Sequence, residues 1–194
     1  GQTMSHALAR AVGVLTPAAV LCAALAPALG LPRGAGALAF TAATALLAVV
    51  LGRAWSLARR GDELLSASEL HWMKLHLLLH GAPLAFAYWT LFAPADATAL
   101  PLWALAFAPF YLSGHLTWKA LHARFGTLLY ALFARGNAAL GIMSLALAGT
   151  SQVVDSSVPP LLLGRLLALY VGVHFLVTAF AVQRIAHDFE PGAR

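Results

Sequence analysis

Charge is the scarcest property of this chain. Only 10% of its 194 residues are Asp, Glu, Lys or Arg, against 61% hydrophobic residues. Soluble domains carry about a quarter charged residues. Even a well-folded soluble chain leaves much of its area wet, so it has no means of covering this much apolar surface. Lipid is therefore the expected solvent. Acidic residues are scarcer than basic ones, 7 against 12. The resulting charge of +5 is not read as a nucleic-acid signature. The basic residues stand at the ends of apolar runs, where topology and anionic lipid account for them. Cysteine occurs once, at Cys22, which excludes an internal disulfide and fits a buried inert thiol. No phosphate-binding loop and no dinucleotide fingerprint is present. The links between apolar runs are at most about a dozen residues long. Any soluble chemistry is thus expected from a partner redox subunit.

Apolar sequence of membrane-crossing length is what remains. A span needs about 20 mostly apolar residues. Six runs qualify, at approximately 7–30, 36–58, 70–93, 98–121, 125–149 and 160–186. The expected fold is all-α: a polytopic integral membrane helical bundle, one transmembrane domain over 1–194, with six transmembrane helices. Polar links separate the runs, among them Arg59-Arg60-Gly61-Asp62-Glu63, which is followed by a short amphipathic stretch to Glu69. Pro83, Pro101 and Pro109 fall in or near spans, where membrane helices tolerate them, and kinks are expected at Pro83 and Pro109. Gly1-Gln2-Thr3 ahead of Met4 reads as a tag remnant. The run after His6 reads as a span, although Ala24-Leu25-Ala26 resembles a signal cleavage site.

Arg53, Arg59, Arg60, Lys119, Arg124, Arg184 and Arg194 fall to one side of this arrangement; Arg33, Asp96 and Asp155 fall to the other. The basic side is expected to be cytoplasmic, with both termini there, in a bacterial-type inner (plasma) membrane. An even number of spans agrees with that placement.

Histidines divide by depth. His71, His122 and His187 fall at cytoplasmic helix ends and suit an interfacial role. Four others lie inside spans. At a rise of ~1.5 Å per residue, His76 lies near ~10 Å and His115 near ~9 Å, while His80 lies near ~16 Å and His174 near ~18 Å. These are two matched levels. His76 and His80 are an i, i+4 pair on one helix face. Arg135 and Asn137 fall at similar depth on the fifth span. An Arg in mid-span is costly and is expected to face the interior with an anionic partner. Acidic residues lie in links instead, so that partner is expected to be a propionate, a phosphate or a quinone oxygen. Histidines of this kind also serve as structural hydrogen bonds between helices.

Imidazoles from two helices suit the axial positions of haem b, for electron transfer or quinol redox chemistry. The expected pairs are His80 with His174 and His76 with His115, with Arg135 or Lys74 answering the propionates. The two levels are too close for two stacked haems, so one haem is expected. A quinone is the expected membrane partner. Trp72, Tyr88, Trp89, Trp118 and Tyr130 are candidates to line such a site or to form interfacial belts. The alternative is a non-haem Zn, Fe or Cu ion held by His76, His80, His115 and His174. A third reading is a small proton-coupled or anion transporter, although no inverted repeat or Gly-broken helix pair supports it. An intramembrane serine hydrolase using Ser113 and His174 ranks last, since the Gly-x-Ser-Gly setting of rhomboid-type proteases is missing.

Leu70-His71-Trp72, and Leu121-His122 with Gly126 and Arg135, resemble short motifs of cytochrome b-type membrane subunits. The resemblance covers about a third of the chain. It implies haem ligation, but an additional span separates the two pieces, unlike the usual four-helix order.

Overall fold

The computed structural model describes residues 65–83, 85–86 and 100–150, together with positions 45, 52, 55–56, 177, 180–181, 184–185 and 187–189. The described residues are 93% helical, with no strand among them. The chain divides into two compact units. One comprises Trp55–Phe86 and Asp96–Ser157, and the other Gly1–Ala54, Ala87–Ala95 and Val158–Arg194. The first unit holds three described helices: α1 (Ala67–Leu79), α2 (Leu100–Phe125) and α3 (Leu128–Thr150). Both α1 and α3 pack against α2.

The start of α1 is set by a capping box. Ser66 Oγ accepts from the Glu69 backbone N–H at 3.2 Å, and a Glu69 carboxylate oxygen accepts from the Ser66 N–H at 2.7 Å. Two N–H groups that a helix start leaves unpaired are thereby satisfied. Glu69 is thus the third residue of the helix, and the helix begins before the apolar run expected from residue 70. The other end follows from Pro83, which is buried and has no N–H to offer Leu79. At His80 the backbone N–H turns to Leu77 O at 3.3 Å. Helical residues resume at 81–83 and 85–86.

Pro109 has no such effect. α2 runs its 26 residues through it without interruption. Pro101, at the second position of α2, costs nothing, because a first-turn N–H has no helical partner in any case. α2 ends at Gly126, whose φ of +68° is the left-handed cap that glycine adopts without a Cβ penalty. The Gly126 N–H donates to His122 O at 2.8 Å. Gly126 and Thr127 are the whole link to α3, so α2 and α3 form an antiparallel hairpin.

The buried residues of α2 form one broad stripe: Ala104, Phe107, Phe110, Tyr111, Ser113, Thr117 and Leu121. Tyr130 and Ala134 are their buried counterparts on α3. The outward faces are also apolar: Leu102 is 70% exposed, Leu128 70% and Ile142 68%. The stretch Leu128–Ala146 of α3 is long and apolar enough to cross a membrane. The described residues of the second unit include one turn with an Arg184–Asp188 ion pair at 3.4 Å.

Candidate functional site

The break in α1 shapes the histidine pair. An unbroken helix would give the His76 carbonyl to the His80 N–H. Here the His80 ring takes it instead, with Nδ1 2.8 Å from His76 O. The two rings then meet edge to face, with centroids 4.7 Å apart. Both are buried, at 6% and 3% exposure. Phe110 of α2 fills the space beside them. It stacks on His76 at 4.8 Å and meets His80 edge-on at 4.9 Å. Further along α2, Phe107 and Tyr111 continue the aromatic packing from Phe110, and Phe86 meets Phe107 at 5.2 Å.

His76 also joins α1 to α2. Its Nδ1 lies 3.1 Å from Phe110 O and 3.3 Å from Ser113 Oγ. The Ser113 hydroxyl is buried and donates to Phe110 O at 2.8 Å. With the serine proton committed there, Nδ1 of His76 is the donor. The same bond argues against Ser113 as a hydrolase nucleophile, because its proton is not directed at a base.

His115 plays the corresponding part between α2 and α3, with Nδ1 2.8 Å from Ala134 O. At the link, His122 Nδ1 lies 3.0 Å from Thr127 O. A carbonyl only accepts, so the ring nitrogen facing it carries the hydrogen. In His76, His80, His115 and His122 that nitrogen is Nδ1, which leaves the lone pair on Nε2. A metal-ligating imidazole has this arrangement: one ring nitrogen donates to a carbonyl and the other faces the metal.

Gly114 permits the convergence of three helices at one level. A Cβ there would collide with Asn137 Oδ1 and lie 2.8 Å from His76 Cε1. Asn137 donates from Nδ2 to Phe133 O at 2.8 Å, which turns its amide oxygen toward Gly114. Gly141 makes a similar approach, its added Cβ standing 3.4 Å from Tyr111 Cβ. Lower in the hairpin, Trp118 stacks on buried Tyr130 at 5.7 Å.

The expected site residues are therefore only partly gathered. His76 and His80 are together, and Asn137 reaches the same level. His115 is bonded to α3. His174 lies outside the described residues, as do Tyr88 and Trp89. Arg135 was expected to face the interior; on α3 it is exposed, on a different side from the one packed on α2. The side of α3 packed on α2 carries Tyr130, Ala134, Asn137 and Gly141. Arg135 follows Ala134, and one residue is a turn of about 100° around a helix. Glu69 is occupied in the capping box, and Trp72 pairs edge-on with exposed His71 at 5.9 Å. Among the described residues, no three His, Cys, Asp or Glu side chains converge to hold a metal ion. Phe110 and Gly114 belong to the site through packing that the sequence pattern does not show. Gly114, immediately before His115, is the signal of close approach in the sequence, whereas nothing distinguishes Phe110 from the other phenylalanines of the chain.

No protein-family model, curated protein or solved structure matches this chain.

Proposed function

We propose that the chain is a multi-pass protein of a bacterial-type inner membrane that binds haem b through intramembrane histidines and exchanges electrons with a membrane quinol. The observation that carries this reading is the common anchoring of His76, His80 and His115 through Nδ1 to backbone carbonyls. Each ring is held in the tautomer that an axial ligand requires, by partners that also fix its direction.

The choice of haem over a bare metal ion follows from ligand number. A bare ion asks for three or four protein donors at one point. Haem asks for two. His76 and His80 are one turn apart on one helix and do not oppose each other across an iron atom. The second axial ligand therefore comes from another helix, and His80 with His174 remains the proposed pair. When bound, haem iron between two imidazoles supplies one-electron transfer. The chain's own residues orient the rings and exclude water, with Phe110 packed against both histidines of α1.

The membrane setting is supported by the surface and by the polar groups inside. Leucines and isoleucine cover the outward faces of α2 and α3. The hydroxyls of Ser113, Thr117 and Ser144 each donate to a carbonyl of their own helix, at 2.8 Å. Such internal satisfaction is what an apolar solvent demands. The full proposal is a six-span bundle with both termini cytoplasmic.

An absorption spectrum of the purified protein tests the haem assignment. A Soret band that shifts on reduction with dithionite is expected. His80→Ala and His174→Ala should each abolish it, and full haem retention in both variants would overturn the pairing. A colourless protein carrying no iron would overturn the haem reading itself and leave ion transport or helix bridging.

A further inference from the structure

We infer that Arg135 binds the phosphate of an anionic phospholipid on the exposed face of α3. This rests on the reading that α3 crosses a membrane. Arg135 is the one charged residue in the apolar stretch Leu128–Ala146, and it is exposed. Leu128 and Leu132, two turns and one turn before it, are 70% and 54% exposed and offer acyl chains an apolar track. No ion pair or side-chain hydrogen bond engages Arg135 among the described residues. A guanidinium facing hydrocarbon is costly, so it must find an anion or reach the interface.

The position of Arg135 decides between these. It stands seven residues beyond Leu128, or ~10 Å at the helical rise. From there a long side chain snorkels along the helix toward the headgroups. The end it reaches is the Gly126 end of the hairpin, where Lys119 and Arg124 are also exposed. That is the basic end, which draws anionic lipid. The planar guanidinium fork matches a phosphate through two parallel hydrogen bonds. Room is available too: Gly136 is exposed, and a Cβ added there would meet nothing within 4 Å.

The test is native mass spectrometry of the purified protein with added phosphatidylglycerol or phosphatidylcholine. The unaltered chain should retain phosphatidylglycerol preferentially. Arg135→Leu should lower that retention about fivefold, the effect expected of one basic residue at an anionic surface. Arg135→Lys should keep part of the preference and lose the bidentate share. Equal retention by all three proteins would overturn the inference. So would a partner protein lost from Arg135→Leu while lipid retention stays constant, since the anion would then be a protein carboxylate. Alkaline carbonate extraction separates this inference from the reading beneath it. Release of the unaltered chain from membranes overturns the spanning reading. Firm integration with lipid retention indifferent to residue 135 overturns the lipid site alone.

Discussion

Histidine side chains in this protein are held from behind. The Nδ1 hydrogen of His76, His80 and His115 is committed to a carbonyl, so the lone pair of each ring lies on Nε2. In cofactor-free protein labelled with nitrogen-15 histidine, these rings should show a protonated Nδ1 and a bare Nε2. A protonated Nε2 on either His76 or His115 would contradict the assignment. Gly114 is the second residue on which the site depends. Gly114→Ala places a methyl against His76 Cε1 and Asn137 Oδ1, and overpacking of this kind costs about 1–3 kcal/mol. Thermal unfolding in detergent should fall accordingly, with His76 displaced from Phe110. An unchanged midpoint would mean that the three helices are further apart than described here. The i, i+4 spacing made the His76–His80 pair legible in the sequence. The partners were not legible, because Phe110 and Gly114 gain their roles only when α2 crosses α1. The direction of Arg135 also escaped the sequence. A difference of one residue from Ala134 decides which way it faces relative to α2.

The helices show where local chemistry overrides apolar pattern. α1 starts at a capping box three residues ahead of the run that hydropathy marks. The Ser-x-x-Glu spacing of Ser66 and Glu69 is the signal that hydropathy passes over. Prolines were legible as residues but not as outcomes. Pro83 coincides with a break, and Pro109, equally deep in its run, leaves α2 continuous. The difference at Pro83 is that His80 supplies a ring N–H for a carbonyl that the backbone abandons. Gly126 is the firmest element boundary, with φ of +68° and an N–H bonded to His122 O. Gly126→Ala must accept a left-handed backbone, at a cost of about 1 kcal/mol. Denaturant unfolding should register that loss, and an unaltered midpoint would argue that the link has another conformation.

For the molecule as a whole, the division of solvent is the main physical question. Leucine is the commonest exposed large apolar residue of α2 and α3, and the hydroxyls of Ser113, Thr117 and Ser144 are satisfied within their own helices. Both features suit hydrocarbon rather than water. The proposed six-span topology carries a direct expectation. Reporter fusions at residue 1 and at residue 194 should both be cytoplasmic. Opposite sides would require an odd number of spans and would discard the topology. Apolar runs of about 20 residues made the all-helical class legible, since a membrane-spanning strand needs only about ten. The proposed number of crossings rests on the count of apolar runs alone.

The two-residue link between α2 and α3 has a consequence for how such a protein is made. Gly126 and Thr127 leave no slack for one helix to settle in a bilayer while its neighbour waits outside. On the proposed reading that both helices cross a membrane, the pair would enter it as one object. A foreign sequence inserted between them would disturb membrane entry before it disturbed the finished bundle.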